Sequence, residues 1–416
     1  MKPDDPTLTP PDAPAADKPR GPRVAGFPEP LARLPEEWIT AAAKIGARPF
    51  QAKQIFKWIQ TKNVFDPAKM TDLALPMREK LAASETAFDV LEVSEVYRSS
   101  DHTRKALVRF TDGKTVETVL IPGVSGARKV SLEEAFDLDP DSPDTDDEDD
   151  DEPNAATAPS TKRRVTQCIS TQVGCAMACV FCASGVAGLQ RQLRADEIVA
   201  QVLHGRLLLD ADEELRNVVY MGMGEPLHNY AETARSLRLL THRDGIGLSS
   251  RRVTVSTSGL VPEIAKLGAD FGGQIGLAIS LHAADDETRT RLMPINKKYP
   301  LAVLIQALRE YPLPKRRRIT IEYTLVAGRN DQLDEAKKLA KLLRGLPVKV
   351  NLIPMNPIEA STLGPPDFSG VLRFQRVLHD AGYSCFVRKR RGDDVAAACG
   401  QLAILGAKKK VRVDRT

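Results

Sequence analysis

Apolar and polar positions change their period three times along the chain. Between Pro35 and Leu81 the apolar residues recur at helical spacing, with Ala52, Ile55, Phe56 and Ile59 forming one stripe. Pro35 followed by Glu36 and Glu37 reads as a helix start, since proline lacks only a donor the first turn would leave unused and the acids face the positive end of the helix. From Phe88 to Ile121 the period shortens to two, giving strands over Lys105 to Phe110 and Thr115 to Ile121 with Asp112-Gly113 as the hairpin turn. Past Arg163 short β-branched runs alternate with helical segments: Val165 to Ser170, Val218 to Met221, Val253 to Ser258, Leu277 to Leu281, Ile319 to Val326, Val348 to Ile353 and Ser384 to Val387. Such alternation means parallel strands joined by crossover helices, so the predicted fold class is α/β, a partial or full β/α barrel. The predicted organisation is a Pro-rich disordered tail over 1–30, a helical accessory domain over 31–85, a small β element over 86–122, an acidic disordered insertion over 123–160, the barrel over 161–405 and a basic tail over 406–416.

Composition changes this picture in two places. No apolar run approaches the ~18 residues needed to cross a bilayer, and the stretch to Pro30 holds nine prolines and no apolar signal-like segment, so a cytoplasmic protein is expected. The net charge of +4 hides an asymmetry: residues 133–152 contain 13 of the 55 acids and no Lys or Arg, leaving 59 basic residues against 42 acids elsewhere. A body that basic suits an anionic partner, nucleic acid above all. Arg388 to Arg391 and Lys315 to Arg318 are candidate phosphate contacts, with a plain solvated loop the alternative for the second run.

The candidate chemistry lies in the cysteines. Four of the six, Cys168, Cys175, Cys179 and Cys182, fall within fifteen residues, a clustering that in a reducing compartment favours metal ligation or redox work over disulfides. Cys175, Cys179 and Cys182 make a Cys-x3-Cys-x2-Cys set directly after the first barrel strand. Three thiolates suit an iron–sulfur cubane with one open iron, whereas structural zinc takes four closed ligands; a zinc site completed by Cys168 is the alternative. The turn Gly222-Met223-Gly224-Glu225-Pro226 follows a strand, and Ser256, Ser280-Leu281-His282 and Asn356 sit at C-terminal strand ends, the active side of a barrel. Taken singly each equally suits a helix cap or turn. Trp38 and Trp58 read as core anchors, and Cys385 as a small buried hydrophobe.

The cysteine spacing, with Phe181 just before the last ligand, resembles the signature of the radical S-adenosylmethionine (SAM) superfamily. Three further segments narrow it: Gln167 to Cys175, Met221 to Pro226, and Arg388 to Leu402 with Arg-Gly-Asp-Asp and Ala-Cys-Gly-Gln-Leu. Together with Arg48 to Ile59 and Met70 to Leu73 they resemble the RlmN family of adenine C2 methyltransferases, over roughly residues 30–405. The resemblance implies a [4Fe-4S] cluster on Cys175, Cys179 and Cys182, and SAM held by Gly224, Glu225, Ser256, Ser280, Leu281, His282 and Asn356. It implies 23S rRNA and tRNA as substrates, two SAM molecules per turnover, an electron donor, and a monomer. In the implied scheme Cys399 is methylated by one SAM, a radical made from a second takes a hydrogen from that methyl, and the resulting methylene adds to adenine C2. Cys168 then attacks the Cys399 sulfur to form a transient disulfide while Glu117 removes the C2 proton. A related enzyme resembling Cfr, which methylates adenine C8 with the same two cysteines, is the alternative. The acidic insertion separates Glu117 from Cys168 more widely than the family pattern leads one to expect.

Overall fold

The computed structural model describes residues 26–84, 88, 90–123, 162–359, 361–388 and 390–402. Residues 1–25 of the Pro-rich tail, nearly all of the acidic insertion and the basic C-terminal run lie outside the described residues, as does Lys389, whereas residues 26–30 of the tail are described and lead into a 3-10 turn over Pro30–Ala32.

Three helices open the chain, α1 (Pro35–Ala43), α2 (Pro49–Gln60) and α3 (Leu75–Ser84). Both α1 and α2 begin with proline, and the Glu37 side chain closes the first turn of α1 by accepting from the Leu34 amide. The predicted stripe Ala52, Ile55, Phe56 and Ile59 is buried together with Trp38. Trp58 differs from its expectation: it is only half buried, donating through Nε1 to Asp72 beneath the Lys62 ammonium. The helical region docks on two crossover helices, α5 (Ala195–Leu207) and α6 (Tyr230–Leu240). Arg206 donates to the Gln60 and Thr61 carbonyls, and Arg235 pairs with Glu37 at 2.8 Å.

Among the described residues one ten-stranded sheet carries the rest. Its antiparallel part is β1 (Leu91–Arg98), β2 (Arg104–Phe110) and β3 (Thr115–Pro122), with the Asp112-Gly113 turn formed as expected and Gly113 at φ +80°. β3 pairs antiparallel with β4 (Arg163–Cys168), after which β7 (Glu213–Tyr220), β8 (Val253–Thr257), β9 (Gly276–Ser280), β10 (Ile319–Leu325), β11 (Val348–Pro354) and β12 (Ser384–Val387) follow in parallel. A two-stranded ribbon, β5 (Gln172–Val173) with β6 (Arg191–Gln192), stands apart. Six of the seven runs expected from sequence are strand ends within a residue or two; the exception in length is β7, which starts five residues before Val218.

The full-barrel alternative is corrected: the sheet is open, with β1 and β12 as its edges. The hairpin β1–β3 extends one edge, and the chain after β12 crosses the gap as a loop instead of a strand. Arg391 donates to the Pro122 carbonyl, Gly392 N to Asp101 and Ser100 N to Asp394, so side chains and single amides, not a ladder, join the two sides.

The wide separation of Glu117 and Cys168 is absorbed between two neighbouring strands. Gly123 N donates to the Arg164 carbonyl at 2.7 Å, so the chain leaves β3 and re-enters β4 at adjacent points. Those points lie at the N-terminal end of β4, about 13 Å by strand rise from Cys168 at its other end. Replacing residues 124–161 with a two-residue Asn-Gly turn should therefore leave methyl incorporation into RNA within a few-fold of wild type, because loop length enters closure entropy only logarithmically. A fall of orders of magnitude in that assay would place the segment in the machinery.

Candidate active site

Directly paired residues of a sheet share a face, and every second residue of a strand returns to it. The register therefore carries one face across the molecule through Tyr97, Lys105, Val119, Cys168, Val219 and Thr254. Glu117 lies two residues before Val119 and Ser256 two after Thr254, so both belong to this face. It continues through Ser280, Glu322, Asn351 and Phe386. Four expected site residues, Glu117, Cys168, Ser256 and Ser280, scattered over more than a hundred and sixty positions thus line up before any side-chain contact is considered. Cys385, one residue off this register, points to the helical layer, where it is buried and the Gln375 amide holds its carbonyl. Its thiol is pushed up by burial alone, in keeping with a packing role.

The three clustered cysteines lie on an irregular loop that opens a short helix, α4 (Ala183–Ala187). Gly185 lets the loop fold back on this helix, since a Cβ there would stand 2.9 Å from the Cys179 nitrogen. Ala178 takes a left-handed φ of +53° to make the bend, a conformation that costs a non-glycine residue about 1 kcal/mol. Burial pushes the Cys175 thiol up to about 12 and the Cys179 and Cys182 thiols upward as well; the charge of Cys182 acts on both others, and that of Cys175 on Cys179. Three desolvated thiols within electrostatic reach of one another cannot all ionise unless a cation compensates them, so the donor set fits a metal centre. Among the described residues no group of three closes to single-ion distance. Cys168 is not part of this set, which removes the four-cysteine zinc alternative: its strand ends before the loop and its charge partners are Cys399 and Arg388.

The glycine turn packs against the strand that feeds the loop. A Cβ at Gly222 would meet the Ile169 carbonyl at 2.7 Å, and one at Gly224, φ +109°, would meet the Gln172 side chain at the same distance. Glu225 is buried, and burial raises its carboxyl, yet both oxygens accept backbone amides: Ser258 N at 2.7 Å and Leu227 N at 3.1 Å. The acid thus clamps the end of β8 to the turn. Ser256 and Ser280 are half buried on the shared face. Leu281 is fully buried, and His282 takes a left-handed φ of +56°. The His282 ring accepts from Thr324 N at Nδ1 and stacks edge-on against Phe181 with centroids 4.9 Å apart. Burial and the nearby Arg289 hold its pKa down to about 3, so it is a neutral donor through Nε2. Asn356 is buried, donates to the Cys399 carbonyl at 2.9 Å, and keeps its Oδ1 without a partner among the described residues. An orphaned buried acceptor beside the thiol loop fits an additional polar ligand such as SAM.

Cys399 reaches this site from the far end of the chain. Ala183 N, next to Cys182, donates to the Gly400 carbonyl at 2.8 Å, and Ser184 Oγ to Leu402 O at 2.6 Å. The charge of Cys399 bears on the Cys168 thiol, which burial pushes up to about 12 while Arg388 opposes the rise. Thr118, next to Glu117, donates through its hydroxyl to the Cys168 carbonyl at 2.8 Å. The candidate site residues are thereby gathered on one face and the loops above it.

Three residues were not singled out from sequence. Arg289 is fully buried and donates to the carbonyls of Ser258, Ser280 and Leu281, fixing the strand ends that carry the Ser-Leu-His segment. Glu322 stands on β10, with Asn351 donating to it at 3.0 Å and the Arg388 guanidinium forming an ion pair at 4.0 Å. Lys105 pairs with Glu117 at 2.9 Å. No local motif marks any of them; an acid inside the otherwise uncharged run Ile319 to Leu325 was the one available signal. The basic run after β12 also has partners within the fold. Arg388, Arg390 and Arg391 bind Glu322, Met355 O and Pro122 O respectively, so they hold the thiol-bearing loop as well as offering charge.

Comparison with known proteins agrees with this geometry. Residues 169–343 match the radical SAM superfamily, and residues 36–86 match the ribosomal RNA large subunit methyltransferase N-terminal domain. A radical SAM methyltransferase from Sphaerobacter thermophilus superposes with TM-score 0.77 at 39% identity, covering 90% of this chain and 99% of that one. The fold and site are those of a radical SAM methyltransferase, which implies a [4Fe-4S] cluster and SAM. The dual-specificity RNA methyltransferase RlmN of Sorangium cellulosum is 68% identical over 92% of this chain and 97% of its own length, and that of Geobacter sulfurreducens 44% identical over 86% and 87%. The chain belongs to the RlmN family. Among the described residues no helix is long and apolar enough to cross a membrane.

Proposed function

We propose that this protein methylates C2 of adenosine in 23S rRNA and in tRNA, in the cytoplasm and as a monomer supplied with electrons by a cellular donor. The observation that carries the reading is the meeting of Cys168, Cys399 and the Cys175-Cys179-Cys182 loop, drawn from positions more than two hundred residues apart. Cys175, Cys179 and Cys182 hold the cluster; Gly224, Glu225, Ser256, Ser280, Leu281, His282 and Asn356 hold SAM. When bound, these groups supply an electrophilic methyl and then hydrogen abstraction, with two SAM molecules used per turnover.

The chain's own residues do the rest. Cys399 carries the methyl and, once it has lost a hydrogen, the methylene that bonds to adenine C2. Glu117 takes the C2 proton, whose bonding pair returns to the ring, and the unpaired electron that radical addition leaves there would be taken up by the cluster that Cys175, Cys179 and Cys182 hold. Cys168 attacks the Cys399 sulfur: an S–S bond forms, the S–CH2 bond breaks, and its electron pair leaves on the carbon, which takes a proton to become the product methyl. The two thiols are oxidised together and must be reduced before the next cycle.

The testing experiment is nucleoside mass spectrometry of rRNA and tRNA transcripts after anaerobic turnover. The expected product is 2-methyladenosine; 8-methyladenosine would mean the Cfr-like reaction, and unmodified RNA would leave only a binding role.

A further inference from the structure

Lys105 is a buried lysine, and it sits between two parts of the site that no local sequence connects. Its side chain is 11% exposed and that of Glu117 9%, and Nζ lies 2.9 Å from Glu117 Oε1. The same ammonium donates to the Ala396 carbonyl at 3.3 Å, three residues before Cys399, and stands 5.4 Å from the centre of the Tyr97 ring. Its three N–H groups thus have a carboxylate, a carbonyl and an aromatic face to address. Ala396 holds a left-handed φ of +49°, so its carbonyl is turned toward the sheet at a conformational cost rather than by default.

Stability alone accounts poorly for this arrangement. A buried ion pair loses in desolvation roughly what it gains in attraction, and apolar residues would fill the space as well. What an apolar pair would not do is tie β3 to the loop that carries the methylated thiol. The charged and titratable groups facing the pair are Tyr97 and Glu95 on β1 and Cys168 on β4, on which Cys399 and Arg388 act in turn.

We infer that Lys105 is a positioning residue that sets the distance between the proton-accepting carboxylate of Glu117 and the Cys399 loop. This rests on the assignment of Glu117 as the base. With the adenine joined through a methylene to Cys399, a Glu117 oxygen must reach the C2 hydrogen of that same ring, and both ends of the required span are bonded to one ammonium. Loss of Lys105 then slows proton removal while leaving radical addition intact, so protein accumulates joined to RNA.

The test compares holoenzyme variants Lys105→Met, Lys105→Arg and Glu117→Gln on a substrate RNA and on the same RNA deuterated at adenine C2. Positioned proton transfer contributes about 10²–10⁴-fold, and for Lys105→Met we expect roughly a tenfold slower release, a nuclease-sensitive adduct on the gel, and a larger deuterium isotope effect than wild type. Lys105→Arg, which keeps the cation, should restore release. If Lys105→Met turns over without adduct and with the wild-type isotope effect, or loses SAM cleavage and adduct together as a misfolded variant would, the inference is overturned. Glu117→Gln separates the two claims: no adduct there removes the base assignment itself, whereas adduct there but not with Lys105→Met removes only the role of Lys105.

Discussion

Cys168→Ala protein is expected to accumulate as a covalent adduct with its RNA, at near-stoichiometric yield and with no free product. The thiol stands at the C-terminal end of β4, beside Cys399 and apart from the ligand loop. Its removal takes away the group that breaks the sulfur–carbon bond and nothing that holds cluster or SAM. Truncation to Ala costs about one buried sulfur of packing, which a domain of this size tolerates. Denaturing gels and intact-protein mass spectrometry, before and after nuclease, read the adduct directly. The Cys168→Ala, Cys399→Ala double variant should show none, because no sulfur remains to carry the carbon. Clean turnover by the single variant, or an adduct that survives in the double, would refute the two-thiol scheme.

The second large effect concerns the ligand loop. Cys175→Ala, Cys179→Ala and Cys182→Ala should each abolish the brown absorbance of the reconstituted protein and cut methylation by more than the ~10–100-fold that loss of a supporting residue costs a metal site. Each thiol is pushed up by burial, so each must shed a proton as metal binds. The sign for pH follows. The raised thiols hold their protons at neutral and lower pH, metal binding must displace them, and reconstitution should therefore weaken as the solution becomes more acidic. Iron and sulfide analysis over that range checks it. Cys385→Ala, facing the helical layer, is the control and should keep both colour and activity. Full iron content in any of the three ligand variants would refute the assignment.

Much of this molecule was legible without coordinates, wherever the cause is local. Period-two runs became β2 and β3, the Asp112-Gly113 turn formed because Gly113 accepts the positive φ a tight hairpin imposes, and prolines opened α1 and α2. The ligand spacing also needed no structure, since three thiols within eight residues share one loop whatever surrounds them. Cys399 and Glu117 could be named from motifs, but nothing local places them together.

That placement is a matter of sheet register and loop docking. Glu117 joins Cys168 because β3 and β4 pair with Val119 opposite Cys168, so the insertion between them drops out of the geometry. Cys399 arrives through hydrogen bonds, donated by the Ala183 amide to the Gly400 carbonyl and by the Asn356 side chain to the Cys399 carbonyl. Arg289, Glu322 and Lys105 stayed invisible in the sequence for the same reason. A buried charge is defined by what surrounds it, and here that means carbonyls and partners from other strands. The open sheet was likewise beyond local pattern. Parallel runs specify strands and crossovers, but whether edges meet depends on the β1–β3 hairpin extending one side while a loop, pinned by Arg391 and Gly392, crosses the gap. Residue types and spacings determined which groups this protein brings to its chemistry; only long-range pairing decided which of them touch.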